Sequence, residues 1–403
     1  MFKKVVVGIC GGTDSAVAAF LLKSKGFDVT GVFMKCVDIS DETDTCINEK
    51  DCEHAQLVCD KLKIPLVHVD FIREYWNNNG RSLIKKLENG SLLDLHILCN
   101  KDIKFNKLLQ FARTDLQADT IATGHYVRTS FGPYLEHFQP DTNVHLLTAQ
   151  NISNDDTYNL SQVPQDVLRY CMFPLGEYLK SKVKQIAQQA KLDVLVNKND
   201  SMSICYFGKQ NQKDLVSKYI PDKPGDIINF ENGQIVGKHM GLHHWDIGEE
   251  YKTPSNKDSY IIYKKDVETN DILVIQRTHH SVLSSHLIIT ETPYWISMKP
   301  PEFDTYCGLL NCNVRLKNGS PSVRTVIHHL SDGLLIQIKQ SAEKITVGQF
   351  AVMYKGEECL GSASVLYRGS LFYPSNHKAD VKQLQTSSEH EKKTVDANIQ
   401  CIL

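Results

Sequence analysis

Val5-Val6-Val7-Gly8-Ile9 followed by Cys10-Gly11-Gly12-Thr13-Asp14-Ser15 places a short apolar run directly before a glycine-centred polar turn. Ala16-Val17-Ala18-Ala19-Phe20-Leu21-Leu22 comes next, good helix formers with an apolar face. The order predicts strand, turn, helix. Adjacent glycines let the backbone approach a ligand closely and aim successive N–H groups at it. Asp14 and Ser15 fall in the first helical turn, where the helix dipole and the N–H groups favour an anion. The expected ligand is the phosphate chain of a nucleotide.

Two well-known phosphate loops do not fit. A Walker loop needs Lys after its last glycine, and none follows Gly11 or Gly12. Gly8, Gly11 and Gly12 have the wrong spacing for G-x-G-x-x-G. The segment resembles S-G-G-x-D-S, the loop of the ATP pyrophosphatases, which cleave ATP between its α and β phosphates and adenylylate a substrate. Cys10 stands where that motif has its first Ser, and its thiol is a weaker donor. The backbone cradle is expected to survive the exchange.

Outward from this loop, the first ~125 residues alternate strand and helix as in a parallel sheet. Expected strands are Val5–Ile9, Asp28–Met34, Pro65–Asp70 and Thr120–Thr123. Helices are expected at Ser15–Lys25, Asp51–Leu62 and Lys101–Leu116, and again at Gln162–Cys171 and Leu179–Lys191. Lys180, Lys182, Lys184 and Lys191 on the last of these read as a solvated face or as a surface for RNA phosphate. Ligands of open parallel sheets bind beyond the carboxyl ends of the strands, so Cys10–Ser15, Met34 and Gly124-His125-Tyr126 are expected to share one crevice.

From Gly208 onward, Gly and Pro punctuate short alternating segments. The expected fold class is α/β: a parallel-sheet domain of the adenine-nucleotide α-hydrolase-like type over 1–207, a small β-rich domain over 208–282 and a β-barrel over 283–370. The polar stretch 371–403 reads as a disordered tail.

Composition narrows the functional class. The 403 residues carry a net charge of -2, so nucleic-acid contacts must come from local patches. No apolar run approaches the ~20 residues of a membrane span. Twelve cysteines without a C-x-x-C or a signal peptide fit free thiols in a reducing compartment. The irregular spacing of Cys46, Cys52 and Cys59 gives no expectation of a bound metal. Met1-Phe2-Lys3-Lys4 runs straight into the first strand without a long Arg-rich transit peptide.

Cys99 in His96-Ile97-Leu98-Cys99-Asn100-Lys101 and Cys205 in Ser203-Ile204-Cys205-Tyr206 each mix polar and apolar neighbours. Taken alone, each reads as an inert thiol. A set of separated segments changes that reading: Gly8–Ser15; Gly31-Val32-Phe33-Met34-Lys35; Cys99-Asn100-Lys101 with Ile103-Lys104-Phe105; Ala122–Tyr126; Asp200-Ser201 with Cys205; and Gly348-Gln349 with Cys359-Leu360-Gly361. In this order and spacing the chain, from about residue 3 to 366, resembles the tRNA-specific 2-thiouridylases of bacteria and mitochondria.

The resemblance implies an enzyme, a sulfurtransferase, that uses ATP with Mg²⁺ to adenylylate the C2 oxygen of the wobble uridine of tRNA. It implies a persulfide on Cys205, charged by an upstream sulfur-relay protein, and Cys99 as the nucleophile that releases that sulfur and ends disulfide-bonded to Cys205. It assigns ATP to Gly8, Ile9, Cys10, Gly11, Gly12, Thr13, Asp14, Ser15, Met34 and Gly124. It assigns tRNA to Asp94, Leu95, His96, His125, Asn154, Asp155, Asp156, Arg315, Leu316 and Gln349. Lys101 is a candidate for lowering the Cys99 pKa.

The family has G-R-T-P-N-P-D where this chain has Gly90-Ser91-Leu92-Leu93-Asp94-Leu95-His96. His96 therefore stands in the place of an acid thought to move a proton, work an imidazole performs near neutral pH. Asp156 replaces Gln, Glu249-Glu250 replaces Gln-Arg and Trp245-Asp246 replaces Tyr-Thr, exchanges expected to weaken electrostatic contact with RNA. Other ATP pyrophosphatases, such as argininosuccinate synthase or tRNA lysidine synthetase, and a tRNA-binding protein without turnover remain alternatives. Arg73-Glu74-Tyr75-Trp76 and Phe173-Pro174-Leu175-Gly176 resemble animal mitochondrial members, which implies mitochondria, with cytoplasm as the alternative.

Overall fold

The computed structural model describes residues 2–36, 47–77, 94–192, 220–253, 259–276, 285–342 and 345–369, with Ile84 and Glu88 besides. Cys205 and the tail 371–403 lie outside the described residues.

The opening run forms β1 (Lys4–Gly8), and α1 (Thr13–Ser24) follows the glycine turn. Beside β1 lie β2 (Asp28–Lys35) and β3 (Leu66–Asp70) on one side. On its other side lie β4 (Thr120–Ala122) and a two-residue strand, Cys171–Met172. All four pairings are parallel. Val5, Val6 and Val7 are wholly buried, as a central strand covered on both faces requires. The last strand stands where a helix over Gln162–Cys171 was expected. Pro164 holds the helix that does form to Gln165–Leu168, and Cys171 then pairs with Ile121. A two-residue strand is too short to leave a period-2 signature.

α2 (Ile47–Leu62) packs against α1. The expected helix near Lys101 begins earlier, at Leu95, and runs to Thr114. Asp94 starts it, its carboxylate accepting a hydrogen bond from the Ile97 amide at 3.4 Å. Asn100–Lys107 is wound as a π-helix, so Cys99 sits where ordinary helical turns give way to wider ones.

Residues 225–276 contribute a second, five-stranded sheet around Ile227, Tyr260, Ile262, Ile272 and Val274. Beyond it, six strands close on themselves in the order Ser285–Thr290, Leu334–Ala342, Val323–His329, Leu309–Arg315, Phe350–Lys355 and Glu358–Gly369. Gly356, at φ 61°, lies in the turn between the last two. Closure removes the unpaired sheet edges.

The stretch from Val127 to Thr148 attaches the barrel. A hairpin of β5 (Val127–Thr129) and β6 (Leu146–Thr148) reaches out from the first domain, and β6 adds to the barrel strand through Leu146↔Cys359 and Leu147↔Glu358. Strand alternation does the rest. Phe350, Val352 and Tyr354 pack into the core of the first domain, whereas Ala351 and Met353 point into the barrel.

Candidate active site

The strand order reverses between β1 and β4, and open parallel sheets take their ligands in the crevice at the carboxyl ends of such strands. Cys10–Ser15 lines one side of it. Gly11 adopts φ 71°, where a Cβ would collide with the backbone carbonyl of Asp51. Gly12 begins α1, and no side chain caps it. The Ser15 hydroxyl spans the turn, accepting from the Cys10 amide at 3.3 Å and donating to the Gly12 carbonyl at 3.1 Å. The Cys10 sulfur lies 3.4 Å from that hydroxyl and is exposed. Met34 lies over Gly8, its methyl 3.5 Å from where a Cβ would be.

Gly124, just after β4, closes the other side. A Cβ on it would stand 2.7 Å from the Asp14 carbonyl carbon and the Ser15 nitrogen. The two loops thus meet backbone to backbone. Tyr126 strengthens the junction: its hydroxyl donates to Asp14 Oδ1 at 2.9 Å. Lys180 Nζ, at the start of the helix Lys180–Gln189, lies 2.6 Å from Asp14 Oδ2. The sequence offered Lys180 only as one of four lysines on a polar helix. Lys182, Lys184 and Lys191 do face solvent, whereas Lys180 turns inward to the loop. Side-chain-free glycine positions, an uncapped helix start and a lysine at the mouth fit a chain of phosphates.

A second group of titratable residues borders the crevice. His125 shares a short bond with Thr123, Nδ1 to Oγ1 at 2.9 Å, and its ring lies 5.4 Å from Phe105. Burial lowers its pKa to about 3, with Lys104 and His96 adding to the effect. Burial lowers His96 to about 4, again helped by Lys104. Both imidazoles are therefore neutral at pH 7. Asp156 moves the other way, raised to about 6 by burial, against a hydrogen bond from the Tyr126 amide at 2.9 Å. Lys104 influences all three groups, and sequence reading gave it no role.

Cys99 is buried beside Cys36, Tyr75, Leu95 and Ile103. Lys101, expected to sharpen its thiol, points elsewhere: its Nζ donates to Gln162 Oε1 at 3.4 Å and sits over the Tyr294 ring. A lysine two positions along a helix faces away from the cysteine.

Several residues expected to meet tRNA are engaged within the protein. Asp155 is only 1% exposed at its side chain and forms an ion pair with Arg315. It also accepts from the Ala149 amide at 3.0 Å and the Thr157 hydroxyl at 2.6 Å. Arg315 stacks over Tyr354. Asn154 accepts from Asn151, and Gln349 accepts from the amide and hydroxyl of Thr346. The Leu316 carbonyl receives the Tyr158 hydroxyl at 3.3 Å, and Leu95 is buried. Asp94, raised by burial, interacts with Tyr158 as well. These residues lie along the join between the first domain and the barrel. Glu249 closes a local turn, accepting from the Asp246 amide, and Glu250 accepts from the Ser259 hydroxyl on the neighbouring strand.

Comparison with known proteins places the architecture. Residues 3–209 match the tRNA methyl transferase HUP domain family, 213–276 the corresponding PRC-barrel domain and 285–365 the aminomethyltransferase β-barrel domain. The mitochondrial tRNA-specific 2-thiouridylase 1 of Gallus gallus is 36% identical over 391 residues, covering 91% of this chain and 92% of that protein. Its counterpart in Homo sapiens is 36% identical over 387 residues, covering 92% of both. The chain belongs to the tRNA-specific 2-thiouridylase family. A bacterial 2-thiouridylase, from Blochmanniella floridana, is 35% identical over 385 residues, 93% of this chain and all of that protein. The three-part α/β, β-rich and β-barrel fold is that of 2-thiouridylases, and the parallel sheet carries the crevice.

Proposed function

We propose that the protein is a sulfurtransferase that uses ATP to thiolate C2 of the wobble uridine, position 34, of tRNA. The observation that carries this reading is the seating of Gly124 against Asp14 and Ser15, in a chain whose relatives are named 2-thiouridylases. It joins a phosphate-binding loop to His125 and His96 in one crevice. Residues 1–207 form the catalytic domain in this reading, 208–282 the connecting domain and 283–370 a barrel that helps to hold tRNA.

ATP is held by Gly8–Ser15, Met34 and Gly124, arriving with Mg²⁺, its phosphates on the loop and its adenine at the Met34 backbone. Backbone N–H groups and the Lys180 ammonium offset the charge that develops as pyrophosphate leaves. The uridine C2 oxygen takes the adenylyl group, which turns a poor leaving oxygen into AMP. A persulfide on Cys205, loaded by a sulfur-relay protein, supplies the sulfur. The Cys99 thiolate attacks the Cys205 sulfur, forming a Cys99–Cys205 disulfide and releasing hydrosulfide. Hydrosulfide adds at C2 and AMP departs; external thiol restores both cysteines. A neutral His96 can accept a proton in place of the family's acid.

Asp155 and Arg315 act in this reading by fixing the barrel against the first domain, so that Leu316 and Gln349 flank the tRNA path beside Asp94, Leu95, Asn154 and Asp156. Relatives named mitochondrial extend the reading to mitochondria.

The test is to incubate the protein with ATP, Mg²⁺, a sulfide source and tRNA bearing a wobble uridine, then digest the tRNA and weigh its nucleosides. The reading predicts 2-thiouridine that depends on ATP. Intact tRNA binding without 2-thiouridine would overturn it.

A further inference from the structure

Asp222, His243 and His244 form a cluster outside the crevice, in the second sheet's domain. His243 and His244 are consecutive residues of a single 3₁₀ turn, Leu242–His244, following the strand Ile235–His239. Asp222 precedes the strand Gly225–Asn229, which pairs with Ile235–His239. The turn brings both imidazoles to the same carboxylate. His244 Nε2 lies 2.7 Å from Asp222 Oδ1, and His243 Nε2 lies 3.8 Å from the same oxygen. The two rings are 4.0 Å apart.

His243 is the informative member. Its side chain is 4% exposed, and its Nε2 is buried with no hydrogen-bond partner. A buried polar nitrogen left in that state costs free energy, and native structures rarely tolerate it without a partner. Its other nitrogen is turned toward Gly241, where a Cβ would crowd Nδ1 at 2.8 Å. The ring is therefore held so that Nε2 faces the carboxylate at a distance too long for a hydrogen bond and suited to a shared ion.

We propose that Asp222, His243 and His244 bind a divalent transition-metal ion, with zinc the best match. Two imidazole nitrogens and one carboxylate oxygen are borderline ligands of the kind Zn²⁺ takes. Ligands about 2.0–2.2 Å from a tetrahedral zinc stand roughly 3.3 Å from one another. The observed separations of 2.7 and 3.8 Å bracket that value, so small side-chain rotations admit the ion. His244 and Asp222 are partly exposed, which leaves water the fourth position. The ion would tie the chain entering the second sheet to the turn that leaves its edge strand. This inference is independent of the thiolation reading.

The test uses the full chain without a polyhistidine tag, freed of metal with a chelator. Co²⁺ and Zn²⁺ are titrated by absorption and calorimetry into the native protein, Asp222→Asn and His244→Phe. Both substituted side chains are partly exposed, and circular dichroism of the metal-free proteins checks that they fold. The native protein should bind one ion, with Co²⁺ giving tetrahedral visible bands and no thiolate charge-transfer band. Outer partners of metal ligands are already worth roughly 10–100-fold in affinity, so loss of a ligand should weaken binding about 100-fold or more. Zinc should raise the melting temperature of the native protein and leave both variants unmoved. Equal uptake by all three proteins, or a thiolate band in the cobalt form, would assign the metal to cysteines and overturn the proposal; so would an absence of binding.

Discussion

Lys180 and Asp14 are 166 residues apart in the chain and 2.6 Å apart in the fold, joining the start of a late helix to the glycine turn Cys10–Ser15. Tyr126 completes the contact from the opposite side, bonding Asp14 through its hydroxyl and lying under the Lys180 ammonium. The loop is thereby pre-shaped by two elements that also border the crevice.

Lys180→Met should consequently act on ATP more than on folding. The ion pair is partly exposed, and such pairs contribute roughly 0–1 kcal/mol to stability. Loss of the cation from the proposed phosphate site should raise the KM for ATP about tenfold, the equivalent of about 1.4 kcal/mol. Initial-rate assays against ATP, with melting curves alongside, separate the two effects; a large fall in melting temperature with unchanged KM would contradict this role.

Gly124→Ala places a methyl group 2.7 Å from backbone atoms of Asp14 and Ser15. Those atoms cannot rotate away as a side chain can, so the loop must move. Overpacking of this kind costs typically about 1–3 kcal/mol. ATP affinity should fall roughly tenfold or more, measurable by calorimetry with a non-hydrolysable analogue. Unchanged affinity would mean that the two loops do not form one site.

The fold around this site was largely legible from the chain. Val5–Ser15 carried the strand, turn and helix, and the alternation through Thr123 carried the parallel sheet. Short or divided elements were not legible. Cys171–Met172 has too few residues to show periodicity, and the hairpin of Val127–Thr129 with Leu146–Thr148 has three-residue strands, the second of which also pairs with the distant barrel strand Glu358–Gly369. In the site, the glycines announced themselves through the motif. Lys180 did not, because one lysine among four on a polar helix gives no local sign of which one turns inward. Arg315, expected to meet tRNA, instead pairs with Asp155, which no spacing rule connects to it.

That buried pair makes its own prediction. Arg315→Met leaves Asp155, 1% exposed, without its cation. Breaking a buried pair from one side typically costs about 3–5 kcal/mol. The melting temperature should fall sharply, and Arg315→Met with Asp155→Asn should recover much of the loss. If the single and double variants melt together, the pair does not hold the barrel in place.

Asp156 predicts a pH dependence. Burial raises its carboxyl to about 6, whereas an unfolded Asp titrates near 3.9. Folding therefore disfavours its charge, and the penalty is full above pH 6 and vanishes as pH falls toward 4. Asp156→Asn keeps an acceptor for the Tyr126 amide and should stabilise the protein at pH 7.5, with the gain fading by pH 4.5. Melting temperatures of both proteins across that range decide it; a gain independent of pH would contradict the shifted titration.

Sulfur transfer through Cys99 is read by following AMP and 2-thiouridine in one reaction, with persulfide-loaded native protein and Cys99→Ser. AMP and 2-thiouridine are expected in equal amounts from the native protein, and no 2-thiouridine from Cys99→Ser, which should still bind ATP and tRNA. Undiminished 2-thiouridine from Cys99→Ser would contradict it.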